Sequence, residues 1–356
     1  MSTTYLTLVN NVLNELNESE LTSTTFSSSR GIQSSIKKFV VKAMHEIYNS
    51  VSEIPDLYIS TTQDTNAGQR EYALPSSASP QSTDLPYRKM DWQTFRLVPK
   101  ELVTNGEFTS NITSWTTIAG AGSAAYNSGG NGRARLNDYA IHQSLSTVVN
   151  KDYRVQIRVF DSNSTGQALK VQVGTAAEGT QNLSTTLTVS DFGAGAVLDT
   201  SFTATAQTTF ITLNNTSTAT NMDVDYVRIS ENIPVKKLRY ITYDNYNRMF
   251  LERDLNNNSS SYGTPDIVYP TQDKKFGLSP VPDASNYTIE YEYWKVHTDL
   301  SAHGDTMDLD DRFKDVITTK AKYYAYILRS DPQAAAMAVK EYDNQLQQLR
   351  SEYVTT

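Results

Sequence analysis

The sequence contains no cysteine, so neither disulfide bonds nor thiolate metal ligands can form. It has no apolar run of the length needed to span a membrane, and MSTTYLTLVNNVL at its start lacks the basic segment of a signal peptide. The motifs GxSxG, the P-loop and a glycine-rich dinucleotide loop are also missing. These absences favour a non-catalytic protein that is assembled in a reducing cytoplasm.

The sequence also lacks clustered positive charge. The formal net charge of the 356-residue chain is −8, and no run of Lys and Arg offsets it. Because phosphate contacts need clustered basic residues, the sequence argues against general DNA binding. The length favours two or three domains and a sizeable core.

Proline is missing from the middle of the chain. All eleven prolines lie outside residues 102–232, although this stretch holds eleven of the sixteen glycines. It also carries only 17 charged residues among 131, against 53 among the other 225. So sharp a change at both edges predicts an inserted domain at 102–232, within a discontinuous core formed by 1–101 and 233–356.

The insert has the sequence pattern of an all-β domain. Short candidate strands alternate with turns rich in Gly, Ser, Thr and Asn, namely at Tyr153–Phe160, Ala168–Val173, Thr209–Leu213 and Met222–Ile229. In the first of them apolar and polar residues alternate with period two. The pattern predicts a β-sandwich.

The core has helical ends and a β-rich middle. Apolar residues recur at helical spacing in four segments: Tyr5–Leu16, Ile32–Val51, Phe313–Leu328 and a last helix that begins at Pro332 behind an Asp331 cap. We predict that these segments form a four-helix bundle. The candidate core strands are Leu57–Thr61, Arg70–Ala73, Thr94–Val98, Leu238–Tyr243 and Tyr287–Tyr293, and the polar segments 76–86 and 256–263 are predicted loops. The predicted fold class is therefore α+β, with a helix bundle, a small antiparallel β domain and an inserted sandwich.

The C-terminal part of the core resembles tail tubular protein A, the head-to-tail adaptor of short-tailed phages. The resemblance is carried by TIEYEYWKVHTDLSAHGDTMDLDDRFKDVITTKAKYYAYILRSDPQAAAMAVKEYDNQL at 288–346, preceded by GTPDIVYP at 263–270 and LSPVPDA at 278–284. The motifs stand in the order of that family. The resemblance implies a homo-dodecameric ring in the virion neck, docked between the portal protein and the tail nozzle protein, through which DNA passes during ejection.

The insert departs from that family and resembles a carbohydrate-binding-module jelly roll. LVTNGEF at 102–108 followed by Trp115, and DVDYVRIS at 223–230, are similar to its first and last strands. Because those strands lie side by side in a jelly roll, the insert can replace a hairpin turn between Phe95–Val98 and Leu238–Tyr240 without stretching the host sheet. We expect the insert to project outward.

The sequence offers several candidate ligand residues, and we weigh each against a structural role. The histidines are scattered along the sequence, and none has the spacing of a metal site. The acidic run from Asp305 to Asp315 is typical of a helix start. The tyrosines of 323–326 are expected to pack against other side chains, and Trp115 is expected in the core of the sandwich. Glu107 and Asp225 match positions near a calcium ion in some carbohydrate-binding modules, and GNGRARL at 130–136 is predicted to be a solvated turn. We therefore predict no catalytic, cofactor-binding or metal-binding residue, and no cofactor.

Three functions remain open at this stage. The first is the structural adaptor, whose insert anchors fibres or tailspikes or binds glycans. The second is a sugar-binding virion attachment protein that uses the core as its base. The third, a polysaccharide depolymerase, is disfavoured because the sequence shows neither clustered acids nor repeats.

Overall fold

The computed structural model describes residues 3–51, 53–76, 86–118, 122–128, 132–161, 167–189, 195–215, 221–255 and 261–354. The chain divides into two compact units. The first, which we call the helical unit, comprises Met1–Thr61, Ala73–Trp92 and Tyr291–Thr356. The second, the β-rich unit, comprises Thr62–Tyr72 and Gln93–Glu290, and so contains the predicted insert together with neighbouring core strands. The predicted boundaries at 102 and 232 stay a prediction.

The described residues form six α-helices. They are α1 (Tyr5–Glu15), α2 (Gly31–Ser50), α3 (Tyr243–Met249), α4 (Leu251–Leu255), α5 (Lys314–Leu328) and α6 (Pro332–Val354). The last begins as its sequence predicts, because Asp331 Oδ1 accepts a hydrogen bond of 3.0 Å from the Ala334 amide, two residues after Pro332. In the part of the chain that is described, no helix is long and apolar enough to cross a membrane.

The mixed α+β class is confirmed, but a four-helix bundle is not evident. Helices α3 and α4 are short and belong to the β-rich unit. The longer helices α1, α2, α5 and α6 contribute apolar side chains to one core in the helical unit, and that core also takes in the segments between them. Its fully buried members include Leu8, Val12, Ile36, Val40, Ile317 and Leu349.

Strands form four sheets. The strands are β1 (Tyr58–Asp64), β2 (Glu71–Ala73), β3 (Tyr87–Pro99), β4 (Thr116–Ile118), β5 (Ser123–Asn127), β6 (Arg133–Asn137), β7 (Tyr139–Ser146), β8 (Asp152–Asp161), β9 (Gln167–Gly174), β10 (Leu183–Val189), β11 (Gly195–Thr203), β12 (Thr208–Asn215), β13 (Met222–Glu231), β14 (Lys236–Lys237), β15 (Arg239–Tyr240), β16 (Ile267–Pro270), β17 (Lys275–Ser279) and β18 (Tyr287–Lys295). Two four-stranded sheets have the orders β1-β18-β3-β14 and β15-β16-β17-β2.

The other two sheets make a ten-stranded β-sandwich within the β-rich unit. Their orders are β10-β9-β12-β7-β4 and β11-β8-β13-β6-β5. Tyr153, Val155, Ile157 and Val159 are fully buried on one face of β8, as their alternation predicts. They share one hydrophobic core with apolar residues of the opposite sheet, such as Val171 on β9.

The two ends of the sandwich lie next to each other. Glu101 and Ser230 form an antiparallel bridge, and the Leu102 amide donates a hydrogen bond of 2.8 Å to the Ile229 carbonyl. On the host side, β3 pairs antiparallel with β14, at 96–97 and 236–237. The second hairpin arm expected at Leu238–Tyr240 is wrong, because β15 (Arg239–Tyr240) pairs with β16 in another sheet. Residues 102–108 form turns rather than the expected strand.

One core segment differs from its prediction. The strand expected at Leu238–Tyr243 is limited to Arg239–Tyr240, because Thr242 caps α3 by accepting a hydrogen bond from the Asn245 amide. Most of the two predicted loops, 77–85 and 256–260, lies outside the described residues.

Candidate functional site

The outer face of one sandwich sheet carries a row of polar side chains. Period-two alternation places Ile141, Leu213 and Val171 in the core, so their strand neighbours face outward. The strand register then aligns the outward residues Thr116, His142, Thr212, Gln172 and Ser184 across five strands. This row is the candidate polar surface of the sandwich.

The loop between β9 and β10 lies over part of this row. The Glu178 amide donates to Thr212 Oγ1 at 2.9 Å, and Gln172 Nε2 donates to the Glu178 carbonyl at 2.7 Å. The close approach of this loop to the end of β9 requires glycine at position 174, because a Cβ at Gly174 would lie 2.5 Å from the Gly179 carbonyl carbon. The loop buries Gln172 and Thr212 although both lie on the outer face.

Two buried polar atoms of the row have no hydrogen-bond partner among the described residues. They are His142 Nδ1 and Gln172 Oε1. The His142 ring contacts Phe210 on the neighbouring strand, with a centroid distance of 5.8 Å. Since unpaired buried polar atoms cost free energy, both atoms are candidate hydrogen-bonding groups for a further polar partner.

A second candidate surface lies at the turn between α5 and α6. Ile327, Leu328 and Met337 are 53%, 52% and 75% exposed, unusually high values for large apolar side chains. The turn is ordered by local contacts, because the Asp331 amide donates to the Tyr326 carbonyl at 3.0 Å. We call these three residues the apolar turn patch.

The acidic run is used locally. Asp305 accepts from the Ser301 and Ala302 amides at 2.7 Å each, and these hydrogen bonds lower its pKa. Asp310 caps the short helical turn before α5 by accepting from the Arg312 amide, and Asp308 pairs with Lys295 at 3.1 Å. Asp310 therefore has the helix-start role that the sequence favours, whereas Asp305 and Asp308 order the segment before it.

The three tyrosines of α5 are packed rather than arranged as a platform. Tyr324 donates a hydrogen bond to Glu46, and the Lys42 ammonium lies 4.1 Å from the centre of its ring. Tyr323 lies beside Tyr324 with the two rings tilted at 56°, and Tyr326 packs against the helical core. These contacts agree with the predicted packing role.

In the sandwich, the candidate calcium and sugar residues have protein partners. Glu107 pairs with Arg228 at 2.7 Å, and Asp225 pairs with Arg133 at 3.2 Å. Trp115 is buried in the sandwich core and donates through Nε1 to the Asn105 carbonyl.

The prediction of a solvated turn at 130–136 is wrong for its described part. Residues from Arg133 onward form β6, and Arg135 makes two hydrogen bonds to Asp223, at 2.8 and 2.9 Å. Arg133 stacks on Phe160 at 3.9 Å. Two carboxylates of β13, the buried Asp223 and the partly buried Asp225, hold these arginines in place, a pairing between strands that the local sequence does not indicate.

The fold brings together two histidines that the sequence keeps apart. His45 and His297 both point Nε2 at Oδ1 of Asp299, at 2.8 and 3.5 Å. The other two histidines lie elsewhere, His303 near Phe26 and His142 on the sandwich. Spacing along the chain gives no signal for this cluster, because α2 and the segment after β18 are far apart in sequence.

These features define a mixed α+β protein, mostly β, with a ten-stranded sandwich and three exposed apolar side chains on α5 and α6. The chain belongs to the SU10 adaptor protein family, a phage adaptor family whose model matches residues 152–356. The match covers more than half of the chain and begins inside the predicted insert. The more specific resemblance to tail tubular protein A stays a prediction.

Solved structures show similarity to part of the chain. The CBM22-1 xylan-binding domain of Paenibacillus barcinonensis Xyn10C is 15% identical, over 38% of this chain and 96% of that one, with a TM-score of 0.31. A CBM4 structure is 14% identical over 36% and 99%, with a TM-score of 0.31. The enzymatically active domain of tailspike protein 4 from bacteriophage CBA120 is 14% identical over 37% and 21%, with a TM-score of 0.29. No curated protein matches the chain.

Proposed function

We propose that the chain is a structural, non-catalytic head-to-tail adaptor of a short-tailed bacteriophage. Twelve copies would form a ring in the virion neck between the portal protein and the tail nozzle protein. Membership of the SU10 adaptor family supports a role in the virion, and the apolar turn patch is the observation that carries the proposed ring and docking.

The patch supports assembly for a physical reason. Three large exposed apolar side chains, two at the end of α5 and one in the second turn of α6, gain free energy when they are removed from water, at about 25 cal/mol per Å² of buried area. An adaptor that docks on a portal needs such a surface at one end, and we propose that this helical end faces the portal. The predicted loop at 256–263 would then face the nozzle.

The net charge supports passage of DNA rather than its retention. A chain with a charge of −8 and no basic run repels phosphate at long range, so DNA can slide through a ring without sticking. Strong, salt-sensitive binding of the purified protein to duplex DNA would count against this part of the proposal.

The test replaces two patch residues in the full chain. Ile327→Asp combined with Met337→Asp should leave the chain folded, because both side chains are exposed, but should reduce docking on purified portals at least tenfold. Val197→Asp is the matched control, since Val197 is 56% exposed on the sandwich. Undiminished docking of the double variant, or a single copy per virion, would contradict the adaptor ring.

A second candidate function is glycan binding by the sandwich, either as an accessory of the adaptor or as a virion attachment protein. The unpaired atoms of His142 and Gln172 on the outer sheet face favour it. A glycan array probed with the full chain should give signals that His142→Ala weakens and His303→Ala does not. If the array gives no signal, the sandwich does not bind glycans, and fibre anchoring is its remaining proposed role.

A further inference from the structure

We propose that His45, His297 and Asp299 form a binding site for a divalent transition-metal ion of the Zn²⁺ class. In the described part of the chain they form the one group of three potential ligand residues whose ligand atoms all lie within 4.8 Å of one another. Two imidazole nitrogens and a carboxylate oxygen are a ligand set that Zn²⁺ commonly takes in proteins.

The distances fit a metal with little rearrangement. Zn²⁺ bonds of about 2.0–2.1 Å in tetrahedral geometry separate neighbouring ligand atoms by about 3.3 Å. His297 Nε2 already lies 3.5 Å from Asp299 Oδ1, and His45 Nε2, at 2.8 Å, must withdraw by about 0.5 Å. Because both Nε2 atoms lie near one oxygen, a metal ion would take the place of the hydrogen bond between His45 and Asp299.

The rings are held in position by packing. His297 stacks on Tyr48 with a centroid distance of 4.4 Å and an angle of 12° between the rings. Tyr48 is fully buried and lies three residues after His45, on the same side of α2. The helix therefore supplies one ligand directly and orients a second through the stacked tyrosine, which lowers the cost of forming the site.

One of the three proposed ligands is open to solvent. Asp299 is 70% exposed, so an ion has a path to the site and a fourth ligand can come from solvent.

The ion would act as a clamp. His45 lies on α2, whereas His297 and Asp299 follow β18, so binding ties together distant segments of the helical unit. A ligand that binds only the folded state stabilises it in proportion to the logarithm of its concentration over Kd. We therefore expect the metal to raise the unfolding temperature rather than to supply chemistry.

The test is titration of the metal-free full chain with ZnCl₂ by isothermal calorimetry. We expect one ion per chain, and at least a tenfold loss of affinity in His297→Ala and in Asp299→Asn. Asp299→Asn keeps the shape of an exposed side chain, so folding is not at issue. His303→Ala is the matched control and should keep full affinity.

Two further measurements make the outcome decisive. CoCl₂ in place of ZnCl₂ should give the intense visible absorption of a tetrahedral site, and Asp299→Asn should abolish it. ZnCl₂ should raise the unfolding temperature of the unmodified chain but not that of the variant. The proposal is overturned if the chain takes up no ion, or if affinity survives in a variant that lacks all three side chains.

Discussion

The side-chain amide of Asn286 donates a hydrogen bond of 2.9 Å to the hydroxyl of Tyr153, and this contact joins the sandwich to the segment that leads into β18. Both residues are buried. The Tyr153 hydroxyl also accepts from the Val148 amide at 2.8 Å, and Glu231 beside them pairs with Lys151 at 3.1 Å. The base of the sandwich is thus attached by a compact polar cluster.

The first prediction concerns this attachment. Asn286→Ala removes the donor to Tyr153 and leaves polar atoms buried without it, so it should destabilise the β-rich unit by about 1–3 kcal/mol. Urea unfolding followed by tryptophan fluorescence measures the loss. Asn232→Ala, at an exposed asparagine next to Glu231, should change stability by less than about 0.5 kcal/mol. Equal losses of stability from the two changes would show that the polar cluster does not stabilise the β-rich unit.

The second prediction is that the sandwich folds alone. Its core draws only on residues between Val103 and Ile229, and its ends meet at the bridge between Glu101 and Ser230. A fragment of residues 101–232 should therefore unfold in one cooperative thermal transition, seen by circular dichroism. Ile211→Asp, in the middle of the core, should abolish that transition.

A chain that lacks the sandwich tests the same domain boundaries. Replacing 101–232 by an Asn-Gly turn should leave the remaining core folded, because the hairpin arms at 96–97 and 236–237 already pair. An unfolded fragment together with an unfolded trimmed core would contradict the predicted insert.

Regular periodicity made much of the fold predictable. The apolar spacing in 5–16, 32–51 and 313–328 and the cap at Asp331 correspond to α1, α2, α5 and α6 within a few residues. The alternation in β8 likewise identifies its buried face, because a strand between a core and solvent must alternate.

What could not be predicted depends on contacts between distant segments. Helix α3 is short, and its buried Tyr246 packs with Ile267 and Tyr269, so its position depends on contacts that its own sequence does not show. The cluster of His45, His297 and Asp299 depends on tertiary packing that no spacing rule reports. The same holds for the pairing of Arg135 with Asp223 across two strands.

The third prediction concerns Gly277. It lies opposite Tyr269 on the neighbouring strand, and a Cβ there would come within 2.1 Å of the tyrosine ring. The ring cannot move aside easily, because it stacks on Tyr246 with a centroid distance of 3.6 Å. Gly277→Ala should therefore cost about 1–3 kcal/mol in urea unfolding. Gly304→Ala, where a Cβ meets nothing within 4 Å, should be nearly neutral. A stable Gly277→Ala protein would show that the stack is looser than its geometry indicates.

The last prediction is a pH dependence centred on Glu46 of α2. Burial acts to raise the pKa of Glu46, but hydrogen bonds from Tyr324 and Lys320 and the nearby Lys42 ammonium outweigh it, so the pKa lies below its ordinary value of 4.5. A carboxyl group whose pKa is lower in the folded state contributes stability above its unfolded pKa. That contribution is lost as the pH falls through the folded value.

Glu46→Gln should therefore lower the stability of the helical unit at neutral pH and have progressively less effect as the solution is acidified below pH 4.5. The measurement is urea unfolding of both proteins across that pH range, followed by circular dichroism at a helical wavelength. Glu252→Gln, at an exposed position on α4, is the control and should change neither the stability nor its pH dependence. A difference between Glu46→Gln and the unmodified chain that stays constant with pH would mean that the loss of stability does not depend on the charge of Glu46.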